Sequence, residues 1–328
     1  MSSSFSKSQE TLFGAGQQLC RFVAQATDDK FQIQANAAGE LATRRQALDV
    51  VRSGAVECAH TPLSFHAARD MTLGLGTGLP FGLNARQQLS WWLLGGGADI
   101  VNTALRPLGA YGIPAGIIGA QMGGWFKKQI NALEDLKGLR FRISGLGAPI
   151  FGRIGAVPVD MPHADVRAAL ESNGLDGAEF LCPHDDERLG LVRAASYNYG
   201  PCWWDSAGMV HLVVNLEKWD ALPPAYRAVL ARACDAVSMH MLAKHDWINP
   251  PALRRLVSAG AVIRQFPQSV LEACHRASDE HFGKIAAKDP QFKRGLESTT
   301  AFLKEHLQWL QVSGQAFDAF QIAINSRA

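Results

Sequence analysis

The chain has 328 residues, 47% of them apolar, with 32 basic and 30 acidic side chains and a net charge of +2. That length exceeds what one hydrophobic core usually serves, so two lobes are expected, and the even charge balance excludes the basic footprint of a nucleic-acid binder and leaves a small molecule as the expected partner. No apolar run approaches the roughly 18 residues that cross a bilayer, and no basic-then-apolar signal opens the chain, so the start at Met1-Ser2-Ser3-Ser4-Phe5 reads either as a cytoplasmic N-terminus or as one from which an export signal has been lost.

The spacing predicts a helix over 8–27, with Leu12, Gly16, Leu19 and Val23 along one stripe, and a strand at 31–34. Thr43 is expected to cap a helix that runs to Arg52 and stops at Ser53-Gly54, with a strand following at 56–60. Residues 87–105 read as helix broken at Gly95-Gly96-Gly97. Around 139–143 the pattern turns to strand: Leu139, Phe141 and Ile143 alternate with Arg140 and Arg142, so at a side-chain period of two the apolar set faces one way and both guanidiniums the other. A helix at 148–155, a strand at 157–159, a helix at 165–172 stopped by Gly174, a strand at 175–180 that ends on Glu179, and a buried strand at 210–214 follow. This alternation is that of an α/β sheet with helices on both faces. From Pro223 onward the pattern is helical, with Val229, Ala233, Val237 and Met241 recurring every fourth residue, then 270–287 and 291–320.

Arg142 stands at the carboxyl end of its strand, beside the turn Ser144-Gly145-Leu146-Gly147, and open α/β sheets bind ligands just outside such ends. A guanidinium there forms a fork for an acid; the same residues also suit a solvated arginine on an edge strand. The familiar catalytic signatures are absent. Gly74-Leu75-Gly76-Thr77-Gly78 and Gly145-Leu146-Gly147 do not complete GxGxxG, no HExxH or GxSxG occurs, and six cysteines show no metal spacing. Cys182 and Cys202 adjoin candidate site segments, as a disulfide or as free thiols.

Four stretches together carry a resemblance: Gln121-Met122-Gly123-Gly124-Trp125-Phe126, Asp135-Leu136-Lys137-Gly138-Leu139-Arg140-Phe141-Arg142, Leu175-Asp176-Gly177-Ala178-Glu179, and Val214-Asn215-Leu216-Glu217-Lys218-Trp219. In order and spacing the chain resembles the DctP-type solute-binding proteins of tripartite ATP-independent periplasmic (TRAP) transporters, and most of all the subfamily that binds 2-oxo acids with a metal ion. The resemblance implies a two-lobed, periplasmic-binding-protein-like fold, with lobe I from 1–118 and 207–248, lobe II from 119–206 and 249–290, and helices of 291–328 packing across both lobes or against a second copy. It implies a periplasmic receptor, not an enzyme, that hands a small carboxylate to a membrane permease.

Position by position, the resemblance puts the solute carboxylate on Arg142 and metal-contacting oxygens at Gln121, Glu179 and Asp205, with Phe180 where the subfamily usually has tryptophan. Two carboxylates and an acid against one arginine leave a net charge of −2, which a hard ion such as Na⁺ or Ca²⁺ would offset; no catalytic cofactor is expected. Trp203, Trp204, Phe180 and His184 are expected to form aromatic walls suited to an aryl or branched tail, with one tryptophan given over to the core. His60 and Phe65 are expected to close over the ligand, and Phe81 is a further candidate. Two other readings stay open at this level: a metal-assisted enzyme acting on a 2-oxo acid, and an intracellular carboxylate sensor of the same fold.

Overall fold

The computed structural model describes residues 1–326; Arg327 and Ala328, the end of the expected C-terminal segment, lie outside the described residues. The chain opens with a two-residue strand, β1 (Ser2–Ser3), then α1 (Glu10–Ala26), α2 (Ala47–Arg52), β2 (Cys58–Thr61), α3 (Thr72–Thr77), α4 (Ala85–Leu94), α5 (Gly97–Leu105) and β3 (Ala110–Ile117). It then builds a second set: β4 (Trp125–Phe126), β5 (Arg140–Arg142), α6 (Gly147–Arg153), β6 (Val157–Val159), α7 (His163–Glu171), β7 (Gly177–Ala178), α8 (Pro183–Leu189) and β8 (Tyr197–Gly200). The remainder is β9 (Met209–Asn215), α9 (Leu216–Ala221), α10 (Pro224–Ser258), β10 (Val262–Gln265), α11 (Gln268–Ala286), α12 (Pro290–Val312) and α13 (Gly314–Asn325).

These strands form two sheets, one ordered β1-β2-β9-β3 and the other β10-β8-β4-β7-β5-β6. The chain therefore leaves the first sheet after β3, returns to it as β9, and crosses again through α10 to place β10 beside β8. β5 lies between β7 and β6, parallel to both, so Arg142 sits on an interior strand and the edge-strand alternative falls away. The 35-residue α10 packs on α1 and β3 of the first unit and on α8 of the second. α11 packs on α6, while α12 lies over α3, α4 and α5, with Trp91 donating to Ser298 Oγ at 3.0 Å.

Several sequence expectations changed in detail: Gln46, not Thr43, is the N-cap of α2, and the helix expected over 291–320 is broken at Ser313 between α12 and α13. Residues 31–34 are not a strand: the alternation there reflects one-sided packing, with Phe31 against Tyr226, while the position beside β2 is taken by β1 and the segment makes only an isolated bridge at Asn36. The strand expected at 175–180 is laddered only over 177–178, although Glu179 N–H still donates to Arg142 carbonyl oxygen at 2.9 Å. An aromatic stack joins the units. Phe126, Phe141, Phe151, Trp203 and Phe81 lie face to face in sequence, with successive centroids 4.8 to 5.3 Å apart. Stacked pairs contribute about 0.5–1.5 kcal/mol each beyond their burial, which anchors the 203–208 crossover just before β9.

Candidate functional site

The parallel ladder that sets Arg142 opposite Ala178 puts the next residue of that chain, Glu179, alongside the guanidinium. Arg142 is 0% exposed. Its Nη1 donates to Glu179 Oε2 at 2.8 Å and to the Glu179 carbonyl at 3.0 Å, and Nε donates to Met161 carbonyl oxygen at 3.3 Å. Nη2 has no hydrogen-bond partner among the described residues. A buried charged donor left unpaired is costly, so an orphan here marks a place for an acceptor. Arg140, on the same face of β5, differs: Asp176 takes it in a two-pronged pair near solvent, with bonds of 2.8 and 2.9 Å.

A cavity of about 980 Å³ lies between the two units, at the upper end of the ~300–1,000 Å³ usual for small-molecule sites. Ser4, Phe5, Leu12, Arg44 and Phe65 of the first unit face Ser144, Met161, His163, Glu179 and Phe180 of the second across it. Arg142 does not line it. The residues it bonds, Met161 and Glu179, do, so the guanidinium stands one layer behind the wall.

Gln121 and Asp205 line the same cavity and are joined by the Gln121 amide, whose Nε2 donates to the Asp205 carbonyl at 3.0 Å and leaves its oxygen as an acceptor. Asp205 Oδ1 accepts from Gly208 N–H at 2.9 Å. Gly208 has φ +56°, and a Cβ there would come within 3.0 Å of Ile118 and 3.1 Å of Gln121 Nε2, so the tight turn that aims Asp205 requires glycine. Burial pushes the Glu179 carboxyl up to about 7, Arg142 pulling it down and Asp205 pushing it up; burial likewise pushes Asp205 up to about 6. Glu179 has Arg142 as its one close positive charge, and Asp205 has none. Oxygen donors from two carboxylates and an amide suit a hard cation; among the described residues no group of three or more His, Cys, Asp or Glu side chains is gathered around one point, so the solute would have to supply part of any coordination shell.

The remaining expected site residues separate into two groups. Phe180 lines the cavity with its ring edge-on to His163 at 4.8 Å, Phe65 lines it with the Arg44 guanidinium 5.5 Å from its ring centre, and Trp204 contributes to the wall. Trp203, His60, His184 and Phe81 stand elsewhere. Trp203 is buried in the aromatic stack, where Phe81 covers one face and Phe151 the other. His60 is fully buried behind Phe5, bonding Ala115 carbonyl oxygen through Nε2 at 2.9 Å, and burial pushes its imidazole down to about 4. His184 is on the outer rim, 4.0 Å from Glu10, with its backbone tied to Asn249. All six cysteines are free thiols, Cys182 bonding His245 Nε2 at 2.8 Å.

Sequence reasoning overlooked Arg44, His163 and Asp160. Arg44 reaches 116 residues along the chain to Asp160 at 2.5 Å, Arg45 pairs with the same carboxylate, and both Arg44 and Asp160 border the cavity. On the opposite side Glu10 pairs with Arg188, and Thr11 donates to Asp185. Both rims are thus pinned across the cleft. Burial together with Arg142 and Arg44 pushes His163 down to about 3, so it is neutral at physiological pH.

Comparison with known proteins follows the same lines. The family described as bacterial extracellular solute-binding protein, family 7 (DctP), matches residues 2–289. A monocarboxylate 2-oxoacid-binding periplasmic protein of Nostoc sp. is 37% identical over 320 residues, 98% of this chain and 88% of that protein. Among solved structures, a TRAP transporter solute-binding protein from Bordetella bronchiseptica, a dimer with copurified calcium and picolinate in one active site, is 38% identical with a TM-score of 0.96 over 100% of this chain and 97% of that one. A TRAP periplasmic protein from Pseudoalteromonas atlantica with bound sodium and pyruvate is 30% identical, with a TM-score of 0.89 over 96% of each chain. The chain belongs to the DctP family of bacterial extracellular solute-binding proteins, whose members are transport receptors and not enzymes.

Proposed function

We propose that this protein captures a small monocarboxylate, a 2-oxo acid with room for an aryl or branched tail, together with Na⁺ or Ca²⁺, and presents it to a TRAP permease from the periplasm. The observation that carries the reading is the fully buried Arg142 with an unpartnered Nη2, set beside two buried carboxylates, Glu179 and Asp205, that have only this one guanidinium between them. Gln121, Glu179 and Asp205 would hold the cation, which would supply positive charge to the oxygens of the acid. Arg142 offers the remaining positive charge, and Phe180, Phe65 and Trp204 give the tail an apolar wall. Calcium with picolinate in the Bordetella protein and sodium with pyruvate in the Pseudoalteromonas protein support this combination.

Release and capture follow from the crossings between the units. The lobes divide at 118/119, 206/207 and 248/249, a division supported by the strands each sheet recruits. Solute contacts from both lobes favour the closed arrangement by the difference in affinity between closed and open forms. Among the described residues no helix is long and apolar enough to cross a membrane. Leu307, Trp309 and Val312 on α12, with Phe317, Phe320 and Ile322 on α13, form an exposed apolar surface suited to a second copy, and the Bordetella relative is a dimer.

A thermal-shift screen of carboxylic acids with calcium, sodium or chelator tests the reading, because a ligand selective for the native state raises the melting temperature. Pyruvate, 4-methyl-2-oxopentanoate or picolinate is expected to stabilise the protein only with a cation present. Stabilisation by none of them, or by dicarboxylates alone, would refute it.

A further inference from the structure

Glu179 does two incompatible things. It borders the cavity as a candidate cation ligand, and its Oε2 accepts from Arg142 Nη1 at 2.8 Å, so it occupies an edge of the guanidinium that an entering acid needs. The contact is built in by the fold: β5 and β7 run parallel, Glu179 N–H bonds the Arg142 carbonyl, and Arg142 Nη1 bonds the Glu179 carbonyl in return. Arg142 cannot turn away from Glu179, because Nε is held by Met161 carbonyl oxygen and the side chain has no exposure. The Glu179 side chain retains 17% exposure, so it is the partner that can move.

We propose that Glu179 is an internal stand-in for the solute carboxylate, competing with it for Arg142, so that the acid's affinity is set by what else neutralises Glu179. The inference rests on the acid-binding reading above. When Glu179 turns from Arg142 with no other positive charge to meet, it becomes an unpaired buried carboxylate near Asp205, which is costly. When a cation shares Glu179 with Asp205, Glu179 can leave Nη1 and an acid can take its place. Acid and cation binding are then coupled through one side chain, and the coupling is reciprocal. Asp205 supplies the control: it carries the same charge in the same cavity, but its side chain bonds Gly208 and makes no bond to Arg142.

Titration calorimetry of the full chain with pyruvate and with 4-methyl-2-oxopentanoate, each in chelator and in saturating calcium, tests this. Wild type should bind at least about tenfold tighter in calcium than in chelator, a ratio equivalent to a tenth in the dissociation constant. Glu179→Gln, which keeps the shape but gives Arg142 only a neutral acceptor, should bind the acid in chelator about tenfold tighter than wild type and should lose most of its response to calcium. Asp205→Asn should gain less than about threefold in chelator. Glu179→Ala serves the same comparison if circular dichroism finds the glutamine variant unfolded. Equal affinity of Glu179→Gln and wild type in chelator, or equal gains in Glu179→Gln and Asp205→Asn, overturns the stand-in while leaving the binding function intact. Failure of wild type to bind either acid in calcium overturns both.

Discussion

Replacing Arg142 by lysine isolates what the fork contributes. Lysine preserves the positive charge beside Glu179, so it avoids the roughly 3–5 kcal/mol cost of stranding a buried partner that Arg142→Ala would incur. A single ammonium cannot, however, offer an acid the two donors of the fork, Nη1, which Glu179 holds in the absence of a cation, and Nη2, which stands without a partner. The loss is therefore one charge-assisted bond to the acid, about 1.5–3 kcal/mol, or roughly 10- to 150-fold in affinity. Calorimetry with calcium and the acid that stabilises wild type most, alongside a melt monitored by circular dichroism, separates the two effects. The variant should melt within a few degrees of wild type and bind at least about tenfold more weakly. Wild-type affinity in a folded Arg142→Lys protein would refute the assignment of the fork to the carboxylate.

Other expectations come from the cavity wall, the rims and the carboxylates. Burial raises the folded Glu179 carboxyl from its usual 4.5 to about 7, so the ionised form costs the folded state roughly 3 kcal/mol, a contribution that stability loses as pH rises from 4.5 through 7. In chelator, the stability of Glu179→Gln relative to wild type in urea unfolding should therefore shift by about 2–3 kcal/mol in the variant's favour between pH 4.5 and pH 8, on top of a pH-independent cost of leaving Arg142 without its counter-charge, the buried histidines cancelling in the difference; a pH-independent difference would contradict the shift. Phe180→Trp should narrow the cavity and weaken binding of a branched or aryl acid by about tenfold, an overpacking cost of ~1–3 kcal/mol, with pyruvate changed by less than about threefold; equal effects on both acids would place the tail elsewhere. Asp160→Asn removes the Arg44 and Arg45 pairs at one rim, and because such partly exposed pairs are worth ~0–1 kcal/mol, stopped-flow dissociation should quicken only a few-fold and wild type should approach that rate in high salt. Phe320→Glu with Trp309→Glu should convert a dimer to a monomer in light scattering; an unchanged mass would move any dimer contact off α12 and α13.

The parts of this protein written locally were legible, and those made by distant segments were not. Alternation at 139–143 located Arg142 on a strand facing away from Phe141, and that strand exists with Arg142 buried. Glu179 was readable as a strand-end residue because Gly174 stops the preceding helix and the short segment Leu175 to Phe180 follows it, although only two residues there are laddered. Proximity in sequence misled for aromatic neighbours: Trp203 and Trp204 are adjacent, yet one fills the stack between Phe81 and Phe151 while the other reaches the cavity, since the chain bends at these residues and sets the two rings edge to face. β1 escaped notice because Ser2-Ser3 carries no β-branched or apolar signal; its burial comes from pairing in parallel with β2. Arg44, His163 and Asp160 carry no local motif, and only the closed fold brings Arg44 to Asp160.

The most direct measurement is the crystal structure of the protein grown with calcium and pyruvate. Arg142 Nη2 should be found donating to the pyruvate carboxylate, with the ion held among Gln121, Glu179, Asp205 and the acid's own oxygens. Pyruvate seated instead on Arg44 at the rim, with Arg142 and Glu179 still paired as they are now, would contradict it.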